Sequence, residues 1–179
     1  MEERRAGGMR RAPMRSALEP AVAFLLALAF YRALYGQVLY HDTARFAAQI
    51  RGGRFVWDIG HIFLQPATLL WHRYLGFGEG AIASQKHINS VATALAIAIF
   101  AALLRRLGIP PWRRVLATAL LAASASVITL APTGHMKLVA FPFVTASLFL
   151  GIVWERARAE RRRASAWLWI GSAGLLALA

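Results

Sequence analysis

Cysteine is absent from the 179 residues. That excludes disulfides and thiolate metal sites and leaves the redox compartment unreadable. Acid is scarce as well: eight Asp and Glu stand against 21 Lys and Arg, for a formal net charge of +13. A charge of that sign raises nucleic-acid binding as a class. Here, however, most arginines sit in short clusters between hydrophobic runs, as cytoplasmic loops do, and not along one basic face. Nucleic acid is therefore not an expected partner. No repeat or low-complexity tract breaks the chain. What is abundant is apolar sequence. Water-soluble domains are about 45–50% apolar; this chain is 58%, with a mean hydropathy of +0.49. The excess is gathered into long runs, which predicts an all-α, polytopic membrane protein.

Residues 1–16 open with five arginines, two glutamates, glycines and a proline, and read as a basic cytoplasmic tail ahead of a transmembrane domain over 17–179. Apolar runs follow at about 20–40, 89–104, 115–131, 138–154 and 164–179. A signal peptide shares the basic start and the apolar core, but no small-x-small cleavage site follows and further spans do. Arg32 interrupts the first run in its outer part, where its stem can snorkel to the interface or line a cavity holding an anion. The last run is only 16 residues. At about 1.5 Å per residue it falls short of the roughly 30 Å hydrocarbon core, so the chain is expected to be the N-terminal piece of a longer protein.

The basic clusters set the expected orientation. The tail, the 105–114 loop with four arginines and the 155–163 loop with five fall on one side, taken as cytoplasmic. The 41–87 loop and the Pro132–Lys137 turn fall on the other. Ile59–Phe77 is apolar enough to compete as a span. Crossing there would make the 105–114 loop external and would bury His61, Gln65, His72 and Arg73 at a cost. The segment is therefore placed along the membrane surface, anchored by Trp57, Phe63, Trp71 and Tyr74. Two short interfacial helices are expected within it. One is Thr43–Arg51, with Phe46 and Ile50 four apart and Gly52-Gly53 as a stop; the other runs from Pro66 to Leu75 and ends at Gly76.

The stretch from Tyr40 to Gly76 holds two of the eight acids and three of the five histidines, so chemistry is sought there. Asp42 follows the first run, at the level where a lipid-linked substrate presents its head group. It suits a general base taking a proton from an acceptor hydroxyl, and it equally suits the N-cap of the helix it precedes. Asp58 and His61, three apart, suit a proton relay, half a metal site or a hydrogen-bonded interfacial pair; two ligands fall short of a metal site. Arg45, Arg51, Arg54 and Arg73 suit bidentate phosphate recognition or attraction to lipid head groups. His135 and Lys137, in the Pro-Thr-Gly-His-Met-Lys turn, either complete an anion site or are solvated. The residues leave the cofactor open, a divalent metal included.

YHDTARF at 40–46, DIGHIFLQPATLLW at 58–71 and KHINSVATALAIAIFAALLRRLG at 86–108 together resemble the GT-C class. These are polytopic glycosyltransferases that use polyprenyl-phosphate sugars, the protein O-mannosyltransferase and aminoarabinose transferase families among them. The resemblance covers about residues 20–155 and points to the N-terminal part of such an enzyme. It implies an inverting transfer of a sugar from a polyprenyl-phosphate donor to a hydroxyl acceptor on the external face, in the plasma (inner) membrane. By position it makes Asp42 the first-loop catalytic aspartate, with Arg45, Arg54, Asp58, His61 and Lys137 as substrate-binding candidates. Two departures stand out. Gly-His-Ile-Phe-Leu-Gln-Pro replaces the commoner His-Pro or His-His, and Gly-His-Met-Lys stands where an acidic or tyrosine-bearing element is often seen. Two rival classes remain. A transporter or flippase component predicts polar residues at mid-span and discontinuous helices; a non-catalytic membrane scaffold predicts neither.

Overall fold

The computed structural model describes residues 12–35, 41–53, 64–76, 78, 80–133, 136–159 and 166–177. Every regular element among them is helical. In chain order they are α1 (Ala12–Ala33), α2 (His41–Arg51), α3 (Leu64–Leu70) with a π-helical turn (Trp71–Leu75), α4 (Ala81–Arg106), α5 (Pro111–Ala122) and α6 (Ala125–Leu130). Two 3-10 turns, Ala131–Thr133 and Met136–Ala140, lead into α7 (Phe141–Ala159), and α8 (Ala166–Ala177) closes the series. Two of these helical stretches, Ala81–Arg106 and Leu138–Ala159, are long and apolar enough to cross a membrane. The bent pair Pro111–Ala122 and Ala125–Thr133 makes a third if it acts as one span.

The hub is α4. Its 26 residues give a rod of about 39 Å, packed by α1, α2, α3, α5 and α7, with α8 attached through α7. The Ala-rich second half explains the close approach of α1: alanines let helix backbones come together around a few larger side chains. At that contact Ala27, Tyr31, Ala94, Ile97, Val127 and Ala131 form the main buried cluster. Tyr31 is its largest member and is completely enclosed. Its hydroxyl donates to the Ala122 carbonyl at 3.1 Å.

Local sequence explains where α4 stops. Gly108 sits at φ +77°, its N–H on the Arg105 carbonyl at 3.0 Å and the Ile109 N–H on Leu104 at 3.1 Å. A left-handed glycine of this kind ends helices because no Cβ opposes it. Pro110 and Pro111 follow, and proline opens α5 where the N–H has no helical partner to lose. The next join differs. The apolar run at 115–131 predicts continuous helix, yet α5 and α6 meet at 49°. Ser124 is extended, at φ −63° and ψ 143°, and no glycine or proline marks the break. The Ala122 carbonyl, near the end of α5, is the one that accepts from Tyr31. A partner outside the helix thus supports the bend.

Side-chain bonds gather the arginine clusters at one end. Arg114 binds Glu19 of α1 through both carboxylate oxygens, at 2.7 and 2.8 Å, and Arg105 lies 3.9 Å from the same carboxylate. Arg156 of α7 donates to the carbonyls of Arg106 and Leu107 at the end of α4. A cation on a helix C-terminus is favoured both by its unpaired carbonyls and by the helix dipole. Along the opposite flank α8 is clasped to α7. Ser147 donates to the Ser172 carbonyl at 2.7 Å and Ser172 returns the bond to the Ser147 carbonyl at 2.8 Å.

Candidate functional site

The other end of α4 is built differently. Two short helices cover it, and their seating follows from the sequence. Phe46 and Ile50, on one face of α2, are both buried. Phe46 packs with Val139 and Ile88, and Ile50 with Ala47, Ala81, Leu69 and Ile82. The Gly52-Gly53 pair follows directly. Gln65 of α3 donates to the Gln49 side chain at 2.9 Å, which ties the two covering helices together. The Pro66–Gly76 stretch is helical, with a wider π turn over Trp71–Leu75 that a 3.6-residue period does not foretell. That turn brings His72 Nδ1 within 3.2 Å of Ser84 Oγ. Gly76 sits so close beneath it that an added Cβ would meet the His72 carbonyl oxygen at 3.1 Å and Ser84 Oγ at 3.4 Å.

Beneath this cover the first half of α4 is buried and polar. Ser84, Gln85, Asn89, Ser90 and Thr93 are fully enclosed, and His87 nearly so. The His87 ring stands 5.5 Å from Tyr35 and 5.9 Å from Trp71, centroid to centroid. Around the helix, Asn89 Nδ2 donates to the Leu130 carbonyl at 2.8 Å and to Ala131 at 3.3 Å, and Ser90 Oγ adds a bond to Ala131 at 3.3 Å. Leu130 ends α6 and Ala131 opens the 3-10 turn after it, where carbonyls lack intrahelical N–H partners. Asn89 and Ser90 therefore act as a cap supplied by another helix. Gln85 lies one turn from Asn89 on the same face. Among the described residues, neither Gln85 amide atom has a hydrogen-bond partner, nor do Asn89 Oδ1, Thr68 Oγ1 or Trp71 Nε1.

Each residue singled out from the sequence can now be placed. Asp42 stands on the first turn of α2, and Lys137 on the second 3-10 turn; for both, the backbone alone is described. Arg45 is exposed on α2, its guanidinium 5.9 Å from the Phe46 ring. Arg51 and Arg73 are exposed on their helices too, as is Arg32 on the last turn of α1. Arg54, Asp58, His61 and His135 lie outside the described residues. The structure thus puts Asp42 and Arg45 one turn apart on a helix seated against α4, with Lys137 on a separate turn. Among the described residues no group of three or more His, Asp or Glu stands close enough to hold a metal ion.

No family model, curated protein or solved structure matches this chain. The site must be read from its own residues. What sequence reasoning passed over is the Ala-Ile-Ala-Ser-Gln-Lys-His segment at 81–87, counted as the end of the 41–87 loop, with helix expected only from 89. One signal was available: Ala81 to Ser90 contains neither glycine nor proline and runs straight into the Ala-rich helix. Besides the half-buried Lys86, its amides, hydroxyls and imidazole, with the Trp71 indole against His87, offer donors and acceptors suited to a hydroxyl-rich group. The described carboxylate side chains, Glu19 and Glu155, belong to the opposite end.

Proposed function

We propose that the chain is a multi-pass membrane protein, with its N-terminus cytoplasmic, whose α2–α3 end transfers a sugar from a polyprenyl-phosphate donor to a hydroxyl acceptor. The observation that carries this reading is the seating of α2. Phe46 and Ile50 fasten it over the buried polar half of α4, at the end opposite the Glu19, Arg114 and Arg156 bonds. Asp42 stands on the first turn of that helix, with Arg45 one turn further along it. In the reaction proposed, the Asp42 carboxylate takes the acceptor's hydroxyl proton. The hydroxyl oxygen bonds to the anomeric carbon as the carbon–oxygen bond to phosphate breaks, and polyprenyl phosphate leaves with the electron pair. Arg45, with Arg54 and Lys137, supplies the phosphate contacts.

The test is a transfer assay in membranes with a panel of lipid-linked sugars. Transfer from at least one donor supports the reading; none from any donor removes it. Orientation is tested separately in this naturally cysteine-free chain, with single cysteines at Gly53, Gly108 and Gly134 and a membrane-impermeant thiol reagent. Labelling at 53 and 134 but not at 108 in intact cells is expected; the reverse overturns it.

A second reading is favoured by one specific pair of observations. A transporter component predicts polar groups within a span and a discontinuous helix. The polar half of α4 and the 49° break between α5 and α6 supply one of each. Lipid or solute flux without sugar transfer, in vesicles holding the purified protein, selects this alternative.

A further inference from the structure

A cavity of about 580 Å³ opens between α1, α4 and α5. Its wall on α1 runs from Leu18 to Phe30, a length of about 18 Å at the helical rise. Val115 and Ala119 face it from α5 and Ala101 from α4; nearly all its lining is aliphatic or aromatic. This is the shape of a slot for one hydrocarbon chain, not of a pocket for a polar metabolite. The polar exceptions lie along its length and at one mouth. Thr118 Oγ1 is buried with no hydrogen-bond partner among the described residues. Glu19 marks the mouth, bonded to Arg114 and 3.9 Å from Arg105. Arg105 is one turn beyond Ala101 on the same face of α4.

Basic residues gather at that mouth. Arg105, Arg106, Arg113 and Arg114 lie within ten residues of sequence, and Glu19 pairs with two of them, Arg114 and Arg105. Trp112, largely exposed, lies 5.0 Å beneath the Arg113 guanidinium. An indole beside arginines is the composition of a chain segment at lipid head-group depth. We infer that this groove holds one acyl chain of an anionic phospholipid, with the lipid phosphate at the arginine mouth. The inference rests on the membrane part of the proposed function and not on sugar transfer, because the groove opens at the end away from Asp42.

The experiment is native mass spectrometry of the detergent-purified protein with phosphatidylglycerol or phosphatidylcholine of identical chains. Phosphatidylglycerol should be retained roughly tenfold better, and Arg105→Gln and Arg106→Gln should each cut that preference by about fivefold. Ala119→Phe fills the groove from an exposed wall and should abolish retention of both lipids. A second arm avoids any bulky core change. Ala119→Cys is folded first, then capped with a dodecyl thiol reagent, and should lose the lipid on capping. Equal retention of the two lipids, or phosphatidylglycerol held as well after both blocks, overturns the assignment. So does a lipid-free dimer that Ala119→Phe dissociates, which would make a second copy the occupant. Cysteine labelling that fails to show the proposed orientation would defeat the membrane topology instead, so the two failures remain distinguishable.

Discussion

The two ends of α4 solve opposite problems. At the arginine end charge is kept near the surface and spent on neighbours: Glu19 on Arg114, Arg156 on the carbonyls that close α4. At the α2–α3 end charge is kept out of the interior and neutral polar groups are taken in, with Ser84, Gln85, Asn89, Ser90 and Thr93 fully enclosed. The difference follows from desolvation. An ion costs several kcal/mol to bury even when paired, whereas an amide or hydroxyl is carried cheaply once its hydrogen bonds are made and expensively when they are not. One end therefore holds helices in place. The other holds groups with bonding capacity to spare, which is where specific recognition is sought.

The sharpest way to break that comparison is to neutralise one carboxylate at each end. Asp42→Asn should lower turnover by roughly 10²–10⁴-fold if Asp42 is the base. Asn is a comparable helix cap, so detergent melting should stay put. Glu19→Gln should leave turnover intact. Wild-type transfer by the Asn variant, with unchanged melting, would leave Asp42 as a cap alone.

The next effects concern stability. Asn89→Ala removes the donor shared by the Leu130 and Ala131 carbonyls and should cost about 1–3 kcal/mol, read from denaturant or thermal melts. Gly76→Ala pushes a methyl group against the His72 backbone oxygen at 3.1 Å. Overpacking of that kind costs about 1–3 kcal/mol, and the value expected here lies at the lower end because the π turn can shift. Smallest of all, Arg156→Gln at the arginine end should cost no more than about 1 kcal/mol, since it removes partly solvated hydrogen bonds to two helix-end carbonyls. If Arg156→Gln proved costlier than Asn89→Ala, the division between a charged fastening and a neutral interior would fail.

How far the sequence carried this picture differs between the same two ends. The loop at the arginine end was legible because its signal is local: paired arginines interrupt the apolar runs, although the Gly108 stop and the Pro110-Pro111 start were not read from it. The α2 helix was legible from Phe46, Ile50 and the glycines behind them. The start of α4 was not. Ala81–Ile88 is helix ahead of the apolar run at Asn89, and its polar side chains argue for exposure until α2 and α3 are known to cover them. The break at Ser124 was hidden for the opposite reason, since a run of small apolar residues carries no local sign that a tyrosine far off in sequence takes the Ala122 carbonyl just before it. Of the candidate site, Asp42 and Arg45 could be placed on one helix. Arg54, Asp58 and His61 fall outside the described residues, and Gln85, His87 and Asn89 came to light only through their burial.

The bond between Glu19 and Arg114 spans 95 residues of sequence, which has a consequence for synthesis. At ribosomal rates of about 5–20 residues per second, roughly 5–20 s separate the appearance of the two partners. Tyr31 waits nearly as long for the Ala122 carbonyl, 91 residues later. During that interval α1 has emerged without the groups that satisfy its acid and its phenol. Helix α1 is thus secured only after α4 and α5 have followed it, and its anchoring reports that the α4–α5 hairpin has arrived.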